Sequence, residues 1–215
     1  MNHLWSCRQM AWLAALLSLG LASCTPKETQ TLLGPSQALG AVLAEEATRA
    51  AGAKKRVALI LPDTNWGPAS AVEEALKAAL KKQGFSTFTA KSADLGDPMR
   101  RGQVGLKPAD FLEALEKAAA AAGVVSLAGA PLLKPGDAAR LGPDHPPVLV
   151  VATGTLGNLP GVPAEHRQLA TLLESKIVQL AIIDSSSESA AQPPGKTDAT
   201  HQLFAQNYLI LRSPN

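Results

Sequence analysis

Short apolar runs alternate with helical periodicities along most of the chain from Arg56 onward. Runs that are mainly apolar are typical of strands buried on both faces, and they occur at 57–61, 124–128, 147–152 and 177–183; a further strand is predicted at 85–90. Alanine-rich segments with apolar residues three and four positions apart predict helices at 68–83, 108–122 and 164–174. A short helical turn is predicted at 201–206 and an edge strand at 208–211. The alternation predicts an α/β fold, a single doubly wound parallel sheet of five to six strands with helices on both faces.

The segment before the first strand predicts a tether and one further helix. Residues 24–35 are mostly polar and end in Gly34-Pro35, a pair that usually stops regular structure. Ser36 is a good N-cap, and apolar residues on one face predict a helix at 36–52. This flanking helix either covers the sheet or belongs to a stalk, and residues 53–215 form the α/β domain.

The first 23 residues have the pattern of a secretory signal peptide. Arg8 is their only charge, an apolar run follows at 10–21, and small residues precede Cys24. A run of that length is too short to span a hydrocarbon core of about 30 Å. An ordinary signal peptide with an incidental cysteine and an uncleaved anchor are the two other interpretations of this segment.

The four residues LASC at 21–24 resemble the lipobox of bacterial lipoproteins. The resemblance implies that the signal peptide 1–23 is removed and that Cys24 carries the lipid, including a palmitate-type acyl chain. The partner would then be the membrane, through this anchor. Thr25 follows the cysteine in place of the aspartate that resembles an inner-membrane retention signal, which favours the outer membrane, facing the periplasm.

The cysteine count and the charge exclude several classes of function. Cys7 and Cys24 are the only cysteines, so a processed and lipidated chain has no free thiol for catalysis or for a cysteine-rich metal site. The formal net charge is +2, and lysines and arginines are scattered. A nucleic-acid-binding protein would have a basic patch. No cofactor is expected either, since the sequence PPGKT at 193–197 lacks the first glycine and the position of a phosphate-binding loop.

The element order also resembles a known family. The stretches VALILPDTNWGPASAVEEALKAALKKQGFSTFTA, FLEALEKAAAAAGVVSLAGAP and PPVLVVATG look like one lobe of a type I periplasmic binding protein, over residues 56–184. Other flavodoxin-like domains share the pattern. The family has two lobes and this chain has residues for one, so closure around a ligand is not expected. The resemblance implies that Asn65 and Trp66 lie in a loop that contacts a sugar ring.

In an open parallel sheet, ligands bind beyond the carboxyl ends of the strands. The polar and aromatic residues predicted at those ends are candidates for binding a ligand or partner: Asp63, Asn65, Trp66, Thr153, Thr155 and Asp184. A second interpretation is purely structural. In it, Asp63 or Asn65 caps the following helix, and Trp66 packs over its first turn.

The segment from Lys91 to Lys107 is long for a connection between a strand and a helix. Connections of this length are usually functional or disordered. Arg100 and Arg101 stand in its middle, and we predict that they form part of a partner-binding surface. The other interpretation is a solvated loop with no partner.

Evidence for catalysis is sparse. Ser126 lacks the Gly-x-Ser-x-Gly pattern of an exposed nucleophile and is predicted to be a buried strand residue. Three histidines, at 145, 166 and 201, have no ligand spacing between them. The sequence therefore favours a non-catalytic, lipid-anchored module of the cell envelope that engages an envelope protein or a small polar ligand. The alternative is an envelope hydrolase that uses Asp63 and Asp184 as a carboxylate pair.

Overall fold

The computed structural model describes residues 27–51, 54–63, 67–96, 105–138, 140–141, 145–153, 163–185 and 198–214. The chain divides into two compact units, Met1–Leu32 and Leu33–Asn215. The second unit contains the sheet.

Six strands and six helices are described. The strands are β1 Arg56–Pro62, β2 Ser86–Ala93, β3 Gly123–Ser126, β4 Val148–Ala152, β5 Leu180–Asp184 and β6 Tyr208–Arg212. The helices are α1 Lys27–Ala50, α2 Gly67–Lys82, α3 Pro108–Lys117, the short α4 Pro135–Ala138, α5 Pro163–Glu174 and α6 Ala199–Asn207.

The strands form one sheet in the order β2-β1-β3-β4-β5-β6. Strands β1 to β5 are parallel, and β6 is antiparallel to β5 at the edge. This is the flavodoxin-like, doubly wound order. The predicted α/β fold is confirmed, with the strand predicted at 208–211 as the antiparallel edge strand.

Successive residues of the central strand β1 serve opposite faces of the sheet. Leu59 belongs to the core that contains α1, α2 and α6, whereas Ile60 belongs to the core that contains α3 and α5. Both residues are fully buried. This explains why 57–61 of β1 is apolar at every position, since each face of the strand is covered by helices.

Helix α1 corrects the prediction for the segment before β1. The predicted start at Ser36 is wrong: the helix begins at Lys27, and Pro35 lies inside it. A proline in a helix interior removes one hydrogen bond and costs about 3 kcal/mol. Fully buried Leu39 and Leu43 offset this cost, since each buried leucine contributes about 1.5–3 kcal/mol. Ser36 is therefore a buried residue in the helix and not its cap.

The part of α1 from Leu33 onward covers the sheet, which answers the question that the sequence left open. Gly40 allows α1 to lie directly against α2. A methyl group at this position would contact the Val72 carbonyl oxygen and would lie 2.8 Å from Ala75 Cβ and 2.9 Å from the Leu76 nitrogen. Real Cβ atoms do not approach other atoms that closely, so only glycine fits here.

Helix α1 runs antiparallel to the strands of the parallel sheet. Its last residues lead directly into the start of β1, and Glu46 forms an ion pair of 2.9 Å with Arg212, which lies opposite the first residue of β5. Leu33 and Gln37 instead lie near Gly67, at the start of α2. We call the end of the sheet where the parallel strands begin the amino edge, and the end where they finish the carboxyl edge. Leu33 therefore lies at the carboxyl edge.

Besides the start of α1, three predicted boundaries differ from the structure by three residues or more. Helix α3 ends at Lys117, before the predicted Ala122, and β5 begins at Leu180 in place of Ile177. Strand β2 continues to Ala93, so part of the predicted long loop is strand. Across the ranges that the structure describes, no helix has both the length and the apolarity needed to cross a bilayer.

Candidate functional site at the carboxyl edge

The carboxyl ends of β1 and β3 are adjacent and form the topological switch point of the sheet. From β1 the chain crosses to β2 on one side, and from β3 it crosses to β4 on the other. The loops that follow the two strands therefore diverge, and in flavodoxin-like folds ligands bind in the crevice between them. The candidate site is built on this crevice and on the neighbouring end of β4.

Asp63 lies directly after β1, at the crevice. Its backbone amide donates a hydrogen bond of 2.9 Å to the Ala93 carbonyl oxygen, which joins the ends of β1 and β2. Its side chain is exposed. The backbone of Asp63 is thus fixed while its carboxylate faces solvent, which suits a residue that contacts a ligand or partner.

Thr153 follows β4 and is completely buried. Among the described residues, its hydroxyl is the buried side-chain group that has no hydrogen-bond partner. A buried hydroxyl without a partner costs about 1–3 kcal/mol, and such groups are rare in folded proteins. Thr153 therefore has the properties of a residue whose hydroxyl is used when a ligand binds.

Ser126, at the end of β3, has a different environment. It is fully buried, as the sequence predicts, and its hydroxyl donates a hydrogen bond of 2.7 Å to the Gly129 carbonyl oxygen. Gly129 has φ +84°, a left-handed conformation that favours glycine. The serine hydroxyl is used to close this turn, so Ser126 has a structural role.

Asp184 is the last residue of β5 and is half-buried. Strands β3 and β4 lie between β1 and β5. At about 4.8 Å per strand, the axes of β1 and β5 are roughly 14 Å apart. The strand order therefore does not favour a proton shared between Asp63 and Asp184, as the hydrolase alternative requires.

The connection from β2 to α3 is fixed at both ends. The Asp94 carboxylate accepts a hydrogen bond of 2.9 Å from the Gly96 amide and forms an ion pair of 3.1 Å with Lys107. The Gly96 amide and then the Lys107 ammonium lower the pKa of Asp94. Leu106, next to Lys107, is fully buried. The two ends of the connection are thus held at one place beside the carboxyl edge.

A charged cluster on β2 and α3 adjoins this connection and could not be identified from the sequence. Lys91 forms ion pairs with Asp110 at 2.9 Å and Glu113 at 2.6 Å, and Glu113 also pairs with Lys117 at 2.6 Å. Hydrogen bonds from Lys117 and then Lys91 lower the pKa of Glu113 to about 2. Each of the four side chains forms an ion pair with an opposite charge inside the cluster, so the cluster has a structural role.

An open groove of about 520 Å³ lies between α1 and α2. Leu33 and Gln37 line it from α1. The α2 side consists of small residues and one carboxylate: Gly67, Ser70, Ala71, Glu74, Ala75 and Ala78. The groove could not be predicted from the sequence, because the close contact of Gly40 with α2 joins positions that are far apart in the chain.

Six of the predicted site residues lie outside the part of the chain described by the structure: Cys24, Asn65, Trp66, Arg100, Arg101 and Thr155. Each of the last five belongs to a connection that follows β1, β2 or β4. Of the predicted site residues, Asp63, Thr153 and Asp184 are described, at the carboxyl ends of three different strands.

The described residues contain no group of three or more histidine, cysteine, aspartate or glutamate side chains that could hold a metal ion. No protein-family model matches the chain, and no curated protein or solved structure matches it. The fold and the residues at its carboxyl edge are therefore what any functional proposal rests on.

Proposed function

We propose that this protein is a lipid-anchored, non-catalytic binding module of the bacterial cell envelope. The sequence LASC supports lipidation of Cys24 after removal of residues 1–23. Thr25 supports retention at the outer membrane, on the side facing the periplasm. The domain resembles one lobe of a periplasmic binding protein, without the second lobe that closes over a ligand.

The observation that carries the binding role is the buried Thr153 hydroxyl, which has no partner among the described residues. It lies at the carboxyl edge, where this sheet order places ligands. The ligand or partner would thus be polar, since it must supply a hydrogen bond to Thr153. It would be met by exposed Asp63, and by Asn65, Trp66, Arg100, Arg101, Thr155 and Asp184 on the neighbouring connections.

Two variants test anchoring and binding separately. In Cys24→Ser, we expect no lipid at residue 24 and no processing before it, as measured by intact mass. In Trp66→Ala, we expect at least a fivefold loss of the partner recovered with the lipidated protein, because aromatic side chains dominate such sites. Ser86→Ala, on an exposed residue at the amino edge, is the control. Unmodified wild-type Cys24 would refute the anchoring, and full recovery with Trp66→Ala would refute the binding site.

A further inference from the structure

The direction of α1 determines which end of the sheet the anchored chain presents to the membrane. Helix α1 runs from the carboxyl edge, at Leu33, to the amino edge, where Glu46 pairs with Arg212. The chain therefore enters the domain at the carboxyl edge. This is the same edge that carries Asp63 and Thr153.

Leu33 lies nine residue steps after Cys24. A fully extended chain of that length spans at most roughly 30 Å, and any helical structure shortens it. The carboxyl edge is thus tied within about 30 Å of the lipid, whereas the amino edge can lie farther away by the length of a strand. Seven-residue β1 corresponds to about 20 Å.

We propose that the lipid anchor holds the carboxyl edge toward the bilayer, and that the partner of this edge is a protein embedded in the same membrane. The proposal rests on the proposed lipidation of Cys24. A freely diffusing globular domain of 100 residues has a radius of gyration of about 13 Å. It would barely fit in the space of about 30 Å between the carboxyl edge and the bilayer. The loops of a membrane-embedded protein already lie there.

The lipid surface itself is a less suitable partner. A protein face that inserts into lipid presents large apolar side chains beside a basic surface. Among the described residues, Leu209 is the exposed large apolar side chain, at 40% exposure. Asp63, an exposed carboxylate at this edge, would be repelled by anionic headgroups.

Energy transfer to a membrane dye measures the orientation. The lipidated protein has no other free thiol, since Cys7 leaves with the signal peptide. A single fluorophore is attached in Asp63→Cys, at the carboxyl edge, or in Ser86→Cys, at the amino edge. The labelled proteins are placed in phosphatidylethanolamine and phosphatidylglycerol vesicles that carry a headgroup acceptor. We expect transfer from position 63 to be at least twice that from position 86.

The outcomes separate this proposal from the proposed function. Equal transfer from both positions, or greater transfer from position 86, in protein whose lipid is confirmed by mass would overturn the orientation alone. Unmodified Cys24 would overturn both proposals. For the partner, a photocrosslinker at position 63 should give an adduct whose second component, identified by mass spectrometry, is a protein that resists carbonate extraction from membranes without crosslinking, and one at position 86 should not. Adducts only with lipid or with soluble proteins would refute a membrane-embedded partner.

Discussion

The two edges of the sheet differ in how their polar groups are used. At the amino edge, Glu46 pairs with Arg212, the Lys54 ammonium donates to the Ala121 carbonyl oxygen at 3.3 Å, and the Ser86 amide donates to the Lys55 carbonyl oxygen at 2.9 Å. At the carboxyl edge, the Asp63 carboxylate is exposed and the buried Thr153 hydroxyl has no partner among the described residues.

Under the proposed function, one set of strands carries two separate tasks. Polar groups that are paired within the domain stabilise it and are unavailable to a ligand. Polar groups left for a ligand cost stability until it binds. Changes at the two edges should therefore have opposite effects on stability, and the predictions below test this from the largest expected effect to the smallest.

The largest effect is expected at Gly40, which determines how closely α1 approaches α2. In Gly40→Ala, the new methyl group overlaps the α2 backbone and should cost about 1–3 kcal/mol, even though alanine favours helix. Urea unfolding measures the change. Gly136→Ala, where a methyl group meets nothing within 4 Å, is the control. Equal stability of the two variants would show that α1 does not depend on this close contact.

The next effect concerns Glu46, whose side chain is only 7% exposed. Glu46→Gln removes the charge that pairs with Arg212 and Arg49. We expect a loss of about 1–2 kcal/mol in thermal or urea unfolding. This is less than for a fully buried pair, because both arginines stay more than half exposed and solvent screens them. Glu74→Gln, on an exposed residue of α2, should change little. If Glu46→Gln lost no more stability than the control, the polar groups of the amino edge would not be what stabilises the domain.

At the carboxyl edge, we expect one substitution to raise the stability of the domain instead of lowering it. Thr153→Val keeps the shape of the side chain and removes the hydroxyl that has no partner, so the domain should gain about 1 kcal/mol. Ser126→Ala, which loses a hydrogen bond to Gly129, should lose a similar amount. Partner recovery should fall with Thr153→Val alone. A destabilised Thr153→Val would mean that this hydroxyl is already satisfied and that the two edges are alike.

The smallest effect is pH-dependent and concerns His201. Its ring contacts the Asp198 carboxylate, which caps α6, and the Glu45 carboxylate of α1, both at 3.0 Å. The hydrogen bond to Asp198 and then that to Glu45 raise the pKa of His201 above 6.5. Its contribution is therefore complete below pH 6.5 and disappears as the pH rises through the raised value.

We expect wild-type protein to lose melting temperature from pH 6 to 8, and His201→Gln to lose less over that window. Glu45→Gln should reduce the pH dependence in part. His145→Gln, whose ring contacts the Pro146 carbonyl oxygen, is the control. If melting temperature changed equally with pH in the wild type and in His201→Gln, this contact between α1 and α6 would contribute nothing to stability.

Most of the sheet could be predicted because its central strands are apolar on both faces, a property of short local sequence. Ile60 and Val150 illustrate this, since each is buried simply by lying in a covered strand. The start of α1 could not be predicted in the same way. Gly34-Pro35 has the local chemistry of a stop, but tertiary packing of Leu39 and Leu43 determines the outcome.

The candidate site could be predicted only as a set of strand ends. The rule that ligands bind at carboxyl ends identifies Asp63, Thr153 and Asp184 without giving their order in the sheet. That order separates Asp63 from Asp184 by two strands. The pairing of Glu46 with Arg212 could not be predicted from the sequence either. Nothing in either local sequence indicates a contact between positions 166 residues apart.

The same long-range contact affects when the domain can finish folding. A chain that crosses a membrane with its amino end first exposes α1 long before β6. Because the ion pair of Glu46 requires Arg212, the side of the sheet that contains α1 is incomplete until β6 has emerged. Contacts between distant positions form late and slow the completion of folding. For a chain that is exported as proposed above, such a delay keeps it unfolded while it is threaded through the membrane and lets the fold form on the far side.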